Sequence, residues 1–394
     1  MKTTALLMFV AVAGSMAAAG QGSIKRLDGT RLGTVDVDAT VIRLMRAAQV
    51  TGAGVAIFND GRPVHMKAYG FRDTEKQLPL THDSVMTAAS FTKSAFAYMV
   101  LQLVDEGVID LDAPIERYLL RPLPEYDGYE SLASDPRYKL MTARMLLDHS
   151  SGFANLRVLE PGRKTTIHFD PGSRYAYSGQ GIQLLQLVVE TVTKKAVEDL
   201  MRDRIFRPFG MTRTSMVWQE RFENDFANGY DEYGRSLGPQ RRRRADAAGS
   251  MQTTLADFSR FMQAVAEGRR LRTETRRWMT TPQIQIFSKH QFPTLATETT
   301  DDNRAIRLSY GLGWGLYTTP YGDAFFKEGH DEGWRNYAVY FAKPRIGIVI
   351  MTNSSNGEGI FKALLESLLK NTFTPIEWEG FIPYDQLPRR ASRP

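Results

Sequence analysis

The spacing of apolar positions changes several times along the chain, and each change marks an element. Residues 37–50 repeat at helical spacing through Val41, Leu44, Met45 and Ala48. Residues 54–58 and 63–69 then read as two strands joined at Asn59-Asp60-Gly61, a good hairpin turn. From Thr81 onward the period is helical again, with helices expected at 90–106, 142–147, 181–195, 197–205 and 254–267. Thr254-Leu255-Ala256-Asp257 opens the last of these as a capping sequence. Residues 271–304 are polar and carry no clear period. Strand patterns return at 310–318, 323–328, 335–341 and 346–352, and 360–369 closes as an amphipathic helix. This order predicts an α+β fold: one antiparallel sheet flanked by N- and C-terminal helices, with a mostly helical lobe inserted. The sheet part falls at about 35–80 and 305–375 and the lobe at about 81–267, within one domain spanning 20–394. There is no internal repeat, so a solenoid has nothing to stand on.

Composition alters this picture in two places. Residues 1–19 carry Lys2, a short apolar run and the small residues Ala17-Ala18-Ala19, the pattern of a cleaved signal peptide. An exported protein, periplasmic or secreted, is expected, with no transmembrane anchor after signal removal. Cysteine is absent, which excludes disulfides, thiolate metal sites and a cysteine nucleophile. The formal charge is +6, much of it local, as in Arg241 to Arg244. With no nucleic-acid motif present, these arginines read as solvated loop and helix faces and no nucleic-acid partner is expected.

The candidate chemistry sits at the start of the second helix. Ser90 and Lys93 are three apart and so share a helix face. Ser90 falls in the first turn, where unpaired N–H groups favour a developing anion. A serine needs an adjacent base, and a lysine serves as one only if burial or nearby cations lower its pKa. The flanking Phe91, Phe96, Tyr98, Met99, Val100 and Leu101 supply that burial. Ser367-Leu368-Leu369-Lys370 repeats the spacing, but its serine lies inside a helix and reads as structural. Three further stretches carry polar groups at element ends: Tyr175-Ala176-Tyr177-Ser178-Gly179, Phe326-Lys327-Glu328-Gly329-His330 and Leu147-Asp148-His149-Ser150-Ser151-Gly152.

In this order and spacing, these stretches resemble the serine β-lactamase and penicillin-binding-protein superfamily, in its class C branch with DD-peptidase and esterase relatives. Ser90-Phe91-Thr92-Lys93 matches Ser-x-x-Lys, Tyr177-Ser178-Gly179 stands where the family has Tyr-x-Asn, and Lys327-Glu328-Gly329 where class C has Lys-Thr-Gly. Pro208-Phe209-Gly210-Met211, Ala248-Gly249-Ser250-Met251 and Tyr310-Gly311-Leu312-Gly313-Trp314 match in kind. The resemblance implies Ser90 as acylated nucleophile, with Lys93 and Tyr177 sharing the proton work. It implies that Lys327 holds that network and favours a phenolate, and that the backbone N–H groups of Ser90 and His330 form the oxyanion hole. It implies no metal and no cofactor.

Gly179 replaces an asparagine that binds a substrate amide, and Glu328 replaces a threonine that helps bind a substrate carboxylate. With Gly329 these are the substrate-binding candidates. The expected substrate is a small molecule or peptide, an ester or amide with no free carboxylate beside the scissile bond. The alternatives are a true class C-type β-lactamase or DD-carboxypeptidase, and a sensor that acylates without turnover. Gly234-Arg235-Ser236-Leu237-Gly238 fits a nucleophile elbow in letters but lacks the strand–turn–helix setting, so it reads as a surface hairpin. The six histidines show no ligand spacing, and His149 reads as loop-shaping. Nothing in the chain signals an oligomeric state.

Overall fold

A computed structural model describes residues 22–386; the signal-peptide segment lies outside the described residues. The main sheet has nine strands, all antiparallel: β1 (Gly52–Asn59), β2 (Arg62–Asp73), β3 (Leu78–Pro79), β4 (Ile284–Gln285), β5 (Ser309–Tyr310), β6 (Gly315–Thr319), β7 (Gly322–Asp331), β8 (Trp334–Phe341) and β9 (Ile346–Thr352). Their spatial order is β4-β5-β6-β7-β8-β9-β1-β2-β3. The two terminal sheet segments meet where β9 pairs β1, with Ile348 opposite Ile57 and Val349 opposite Ala56.

Alternation along the central strands gives the sheet two buried faces. Tyr337, Val339, Ile348, Ile350, Val55 and Ile57 pack with Val37, Val41 and Leu44 of helix α1 (Thr34–Ala48) and with Phe361 and Leu364 near the C-terminus. Ala338, Val349, Met351 and Ala56 pack against the helical lobe. At the centre of that lobe is α2 (Phe91–Asp105), in which every side chain from Phe91 to Leu103 is buried. Its Phe91 ring stacks on Phe258 at 4.1 Å. A fully buried phenylalanine or leucine stabilises the fold by about 1.5–3 kcal/mol, so an all-round apolar helix holds its position firmly.

The lobe also contains α3 (Ala143–Leu147), α4 (Gly179–Thr193), α5 (Val197–Met201) and α6 (Leu255–Glu267). Thr254 caps α6 as its sequence predicts, accepting from the Asp257 N–H at 3.0 Å. The expected strand at 310–318 is broken into β5 and β6, because Gly311 to Trp314 turns aside to pack on the helical lobe. Gly313 has φ +86° and comes so close to α2 that a Cβ there would meet Ala97 Cβ at 2.3 Å. The periodless 271–304 stretch holds a short helix, Thr273–Met279, and the edge strand β4. Among the described residues no helix is long and apolar enough to cross a membrane.

Candidate active site

Ser90 is presented by a short link between a strand and α2. Met86–Thr87 pairs with Gln252–Thr253, and the Ala88 N–H donates to Met251 O at 2.9 Å. Ala89 then takes φ +48°, a strained value for a residue with a side chain. Ser90 immediately precedes the helix rather than standing within its first turn. The Lys93 Nζ, one turn on, lies 3.0 Å from Ser90 Oγ and 2.5 Å from the carbonyl of Ala248.

Tyr177 comes from the residues just ahead of α4. Ser178 caps that helix, its Oγ accepting from the Gly181 N–H at 2.9 Å and donating to Ala154 O at 2.9 Å. The Ser178 N–H donates to His149 Nδ1 at 3.2 Å, and the His149 ring rests on Tyr177 at 4.4 Å. The Tyr177 hydroxyl accepts from Lys327 Nζ at 3.1 Å, and Ser90 is near enough to act on its ionisation. Lys93 Nζ and Lys327 Nζ lie 5.0 and 4.8 Å from the centre of its ring.

Strand β7 brings the remaining candidates. Its turn with β8 closes on the Asp331–Trp334 pair, so the hydrogen bonds to β8 fall on Asp331, Gly329 and Lys327. The N–H groups of Glu328 and His330 therefore point away from β8. On that side β6 pairs only as far as Phe326, which leaves the His330 N–H free of the sheet. Gly329 faces the Ser90 link so closely that a Cβ there would meet the Ala88 carbonyl at 2.7 Å. Asn336 fastens the same contact, its amide donating to Thr87 O and Ala88 O at 3.0 and 3.2 Å. The fold thus brings Ser90, Lys93, Tyr177, Lys327, Glu328, Gly329 and His330 together from three separate stretches.

Burial, reinforced by the nearby Lys327 charge, brings the Lys93 amine down to about 7. Burial also lowers Lys327, although Glu328 beside it opposes the shift. At Glu328, burial works to raise the carboxyl, but Lys327 at 2.5 Å holds it below its usual range. Gln291 Nε2 also reaches Glu328, at 3.2 Å. Burial, then the Glu328 charge, pushes the Tyr177 phenol well above its ordinary range. The expected phenolate is therefore reversed: Lys327 is neutralised by Glu328, and the phenol stays protonated. A neutral amine at hydrogen-bond distance from a hydroxyl is the arrangement that can take its proton.

Gly179 opens α4, and its N–H donates to Asn155 Oδ1 at 3.0 Å; a Cβ at 179 would meet Asn155 O at 2.9 Å. Asn155, unremarked in the sequence, lines the cleft of about 1160 Å³ into which Ser90, Lys93, Tyr177, Glu328 and His330 open. His149 has φ +62°, is buried, and is held neutral by burial and by the two lysine charges. Ser236 stands on the exposed strand Ser236–Gly238, which pairs with the buried Gly229–Tyr230 in a two-stranded hairpin. Lys370 is an exposed helix cap in left-handed conformation, so the second Ser-x-x-Lys has no buried amine.

The match to known proteins follows this geometry. Residues 37–369 fit the family model described as Beta-lactamase, and the chain belongs to that family of hydrolases. It is 28% identical to a D-aminopeptidase of Brucella anthropi over 194 residues, 48% of this chain and 37% of that protein. The chain therefore matches well under half the length of that relative. Penicillin-binding protein 4 of Amycolatopsis lactamdurans is 24% identical over 339 residues, 81% of this chain and 85% of that one. The octameric penicillin-binding protein homologue from Pyrococcus abyssi superposes with a TM-score of 0.69 at 22% identity, covering 86% of this chain and 79% of its own.

Proposed function

We propose that the protein is an exported serine hydrolase that works through an acyl-enzyme on Ser90, acting on an ester or amide. The observation that carries this reading is the 3.0 Å separation between Ser90 Oγ and a lysine amine whose pKa is about 7. Neutral Lys93 takes the Ser90 proton as Oγ bonds to the substrate carbonyl carbon. The negative charge on the carbonyl oxygen is met by the N–H groups of Ser90 and His330, neither of which has a partner in the sheet. The tetrahedral intermediate collapses, its bond to the leaving group breaks, and the proton passes to the leaving group from Lys93 through the Tyr177 hydroxyl. Water then attacks the acyl-enzyme, losing its proton to the same pair, and Ser90 is restored. Lys327 acts by positioning, through its hydrogen bond to Tyr177.

The buried Lys327–Glu328 pair is neutral overall, which supports a substrate with no free carboxylate beside the scissile bond. Asn155, anchored on the Gly179 N–H, offers an amide to the substrate from the loop side. The D-aminopeptidase relative favours an amide among the possible substrates. A panel of p-nitrophenyl esters, a cephalosporin and a D-Ala-D-Ala peptide tests the reading on wild type and Ser90→Ala. Ester or amide turnover, lost by at least about a thousandfold in the variant, is expected. Cephalosporin turnover as fast as that of simple esters overturns the substrate preference. A long-lived adduct on Ser90 without turnover makes the protein a sensor instead.

A further inference from the structure

The run Arg241 to Arg244, which reads as solvated surface in the sequence, forms part of the wall of the same cleft as Ser90, Lys93 and Tyr177. Backbone contacts hold it there: the Trp218 N–H donates to Arg242 O at 2.6 Å, and Gln252 Nε2 donates to Gln240 O at 2.5 Å. Two of the four cations are neutralised locally. Arg241 pairs with Glu223 and lies over the Trp218 ring, and Arg242 pairs with Asp331. Arg243 and Arg244 are exposed and have no ion pair, side-chain hydrogen bond or ring contact among the described residues.

The acidic side chains lining the cleft are already engaged. Glu190 accepts from the Val197 N–H at 2.8 Å, and Asp246 accepts from the Ala248 N–H at 2.8 Å and from Gln183 at 2.9 Å. Glu328 is held by Lys327, and Asp331 by Arg242. Four consecutive arginines repel one another, and a cleft focuses their field on whatever enters it. The cleft's other lining includes the exposed apolar side chains Leu156, Val158 and Phe292.

We propose that Arg243 and Arg244 select a substrate bearing an anionic group several bonds from the scissile bond, beside an apolar portion that lies on Leu156, Val158 and Phe292. This rests on the acyl-transfer reading and adds a charge requirement to it. The neutral Lys327–Glu328 pair governs the atoms next to the reacting carbonyl, and the arginines govern the far end. A guanidinium binds a carboxylate or phosphate in the same fork geometry.

The test compares charged and neutral ester pairs on the full chain. Mono-p-nitrophenyl pimelate against p-nitrophenyl hexanoate places the charge on the acyl group. 4-Acetoxybenzoate against 4-acetoxybenzamide places it on the leaving group. In at least one pair the charged ester is expected to show a kcat/KM about tenfold higher at low salt, with the ratio falling in 0.5 M salt. Arg243→Gln/Arg244→Gln should bring that ratio to near unity, whereas Arg270→Gln/Arg277→Gln, which removes equal charge at two exposed arginines outside the cleft lining, should leave it intact. Equal or lower rates for the charged ester in both pairs overturn the inference, as does a preference that survives in the first double variant. Loss of neutral-ester hydrolysis in Ser90→Ala reports separately on the acyl-transfer reading.

Discussion

In the proposed mechanism, Lys93 is the residue on which the chemistry turns. Its amine is the conjugate base above a pKa of about 7, so protonation below that value removes the acceptor for the Ser90 proton. The expected kcat/KM profile for a neutral ester rises with pH to a midpoint near 7, and a limb near the free-lysine value would contradict the assignment. Lys93→Met should abolish turnover while leaving the protein folded, with Tm unchanged or raised, because a buried cation is costly to hold. The pairing of Ser90 with Lys93 is legible in the sequence because helix geometry alone brings residues three apart together. The protonation of Tyr177 is not, because it depends on burial and then on the Glu328 charge, and both reach the tyrosine only after β7 docks. Asn155 escapes for the same reason: nothing in Phe153-Ala154-Asn155 signals that its side chain meets the first N–H of α4.

At the scale of elements, the contact between β7 and the link before α2 sets how well the two backbone donors of the proposed oxyanion hole are aligned. Gly329 permits that approach, with the Ala88 carbonyl at 2.7 Å from where a Cβ would be. Gly329→Ala is expected to push strand and link apart by a few tenths of an ångström and to lower kcat by about tenfold or more, with a smaller effect on KM. An unchanged kcat in a folded variant would show that the donors tolerate the shift. Strand and helix positions were legible where turn chemistry or capping punctuates them, as at Asn59-Asp60-Gly61 and Thr254. The break between β5 and β6 was not. Residues 310–318 satisfy a strand pattern throughout, and only the close approach of Gly313 to Ala97 diverts the chain.

Across the whole molecule, the overall layering follows from the order of periodicities, and the family match over 37–369 agrees with it. What the order does not reveal is the acid group behind the sheet. Glu379, in the short helix Ile376–Glu379, is fully buried, and burial followed by the Glu328 charge raises its carboxyl well above the usual range. It stays protonated when folded and ionises when unfolded, so it lowers stability progressively as pH rises from about 4.5. Glu379→Gln should therefore gain in Tm over wild type by a margin that widens between pH 5 and pH 8. A constant margin would place the ionisation elsewhere. The pairing of Ile348 with Ile57 has a consequence for biogenesis. During synthesis the β1–β2 hairpin leaves the ribosome with one apolar edge open, and its partner strand is not made until most of the chain has followed. Until then that edge is open to pairing with any other exposed strand, and only the late arrival of β9 closes it.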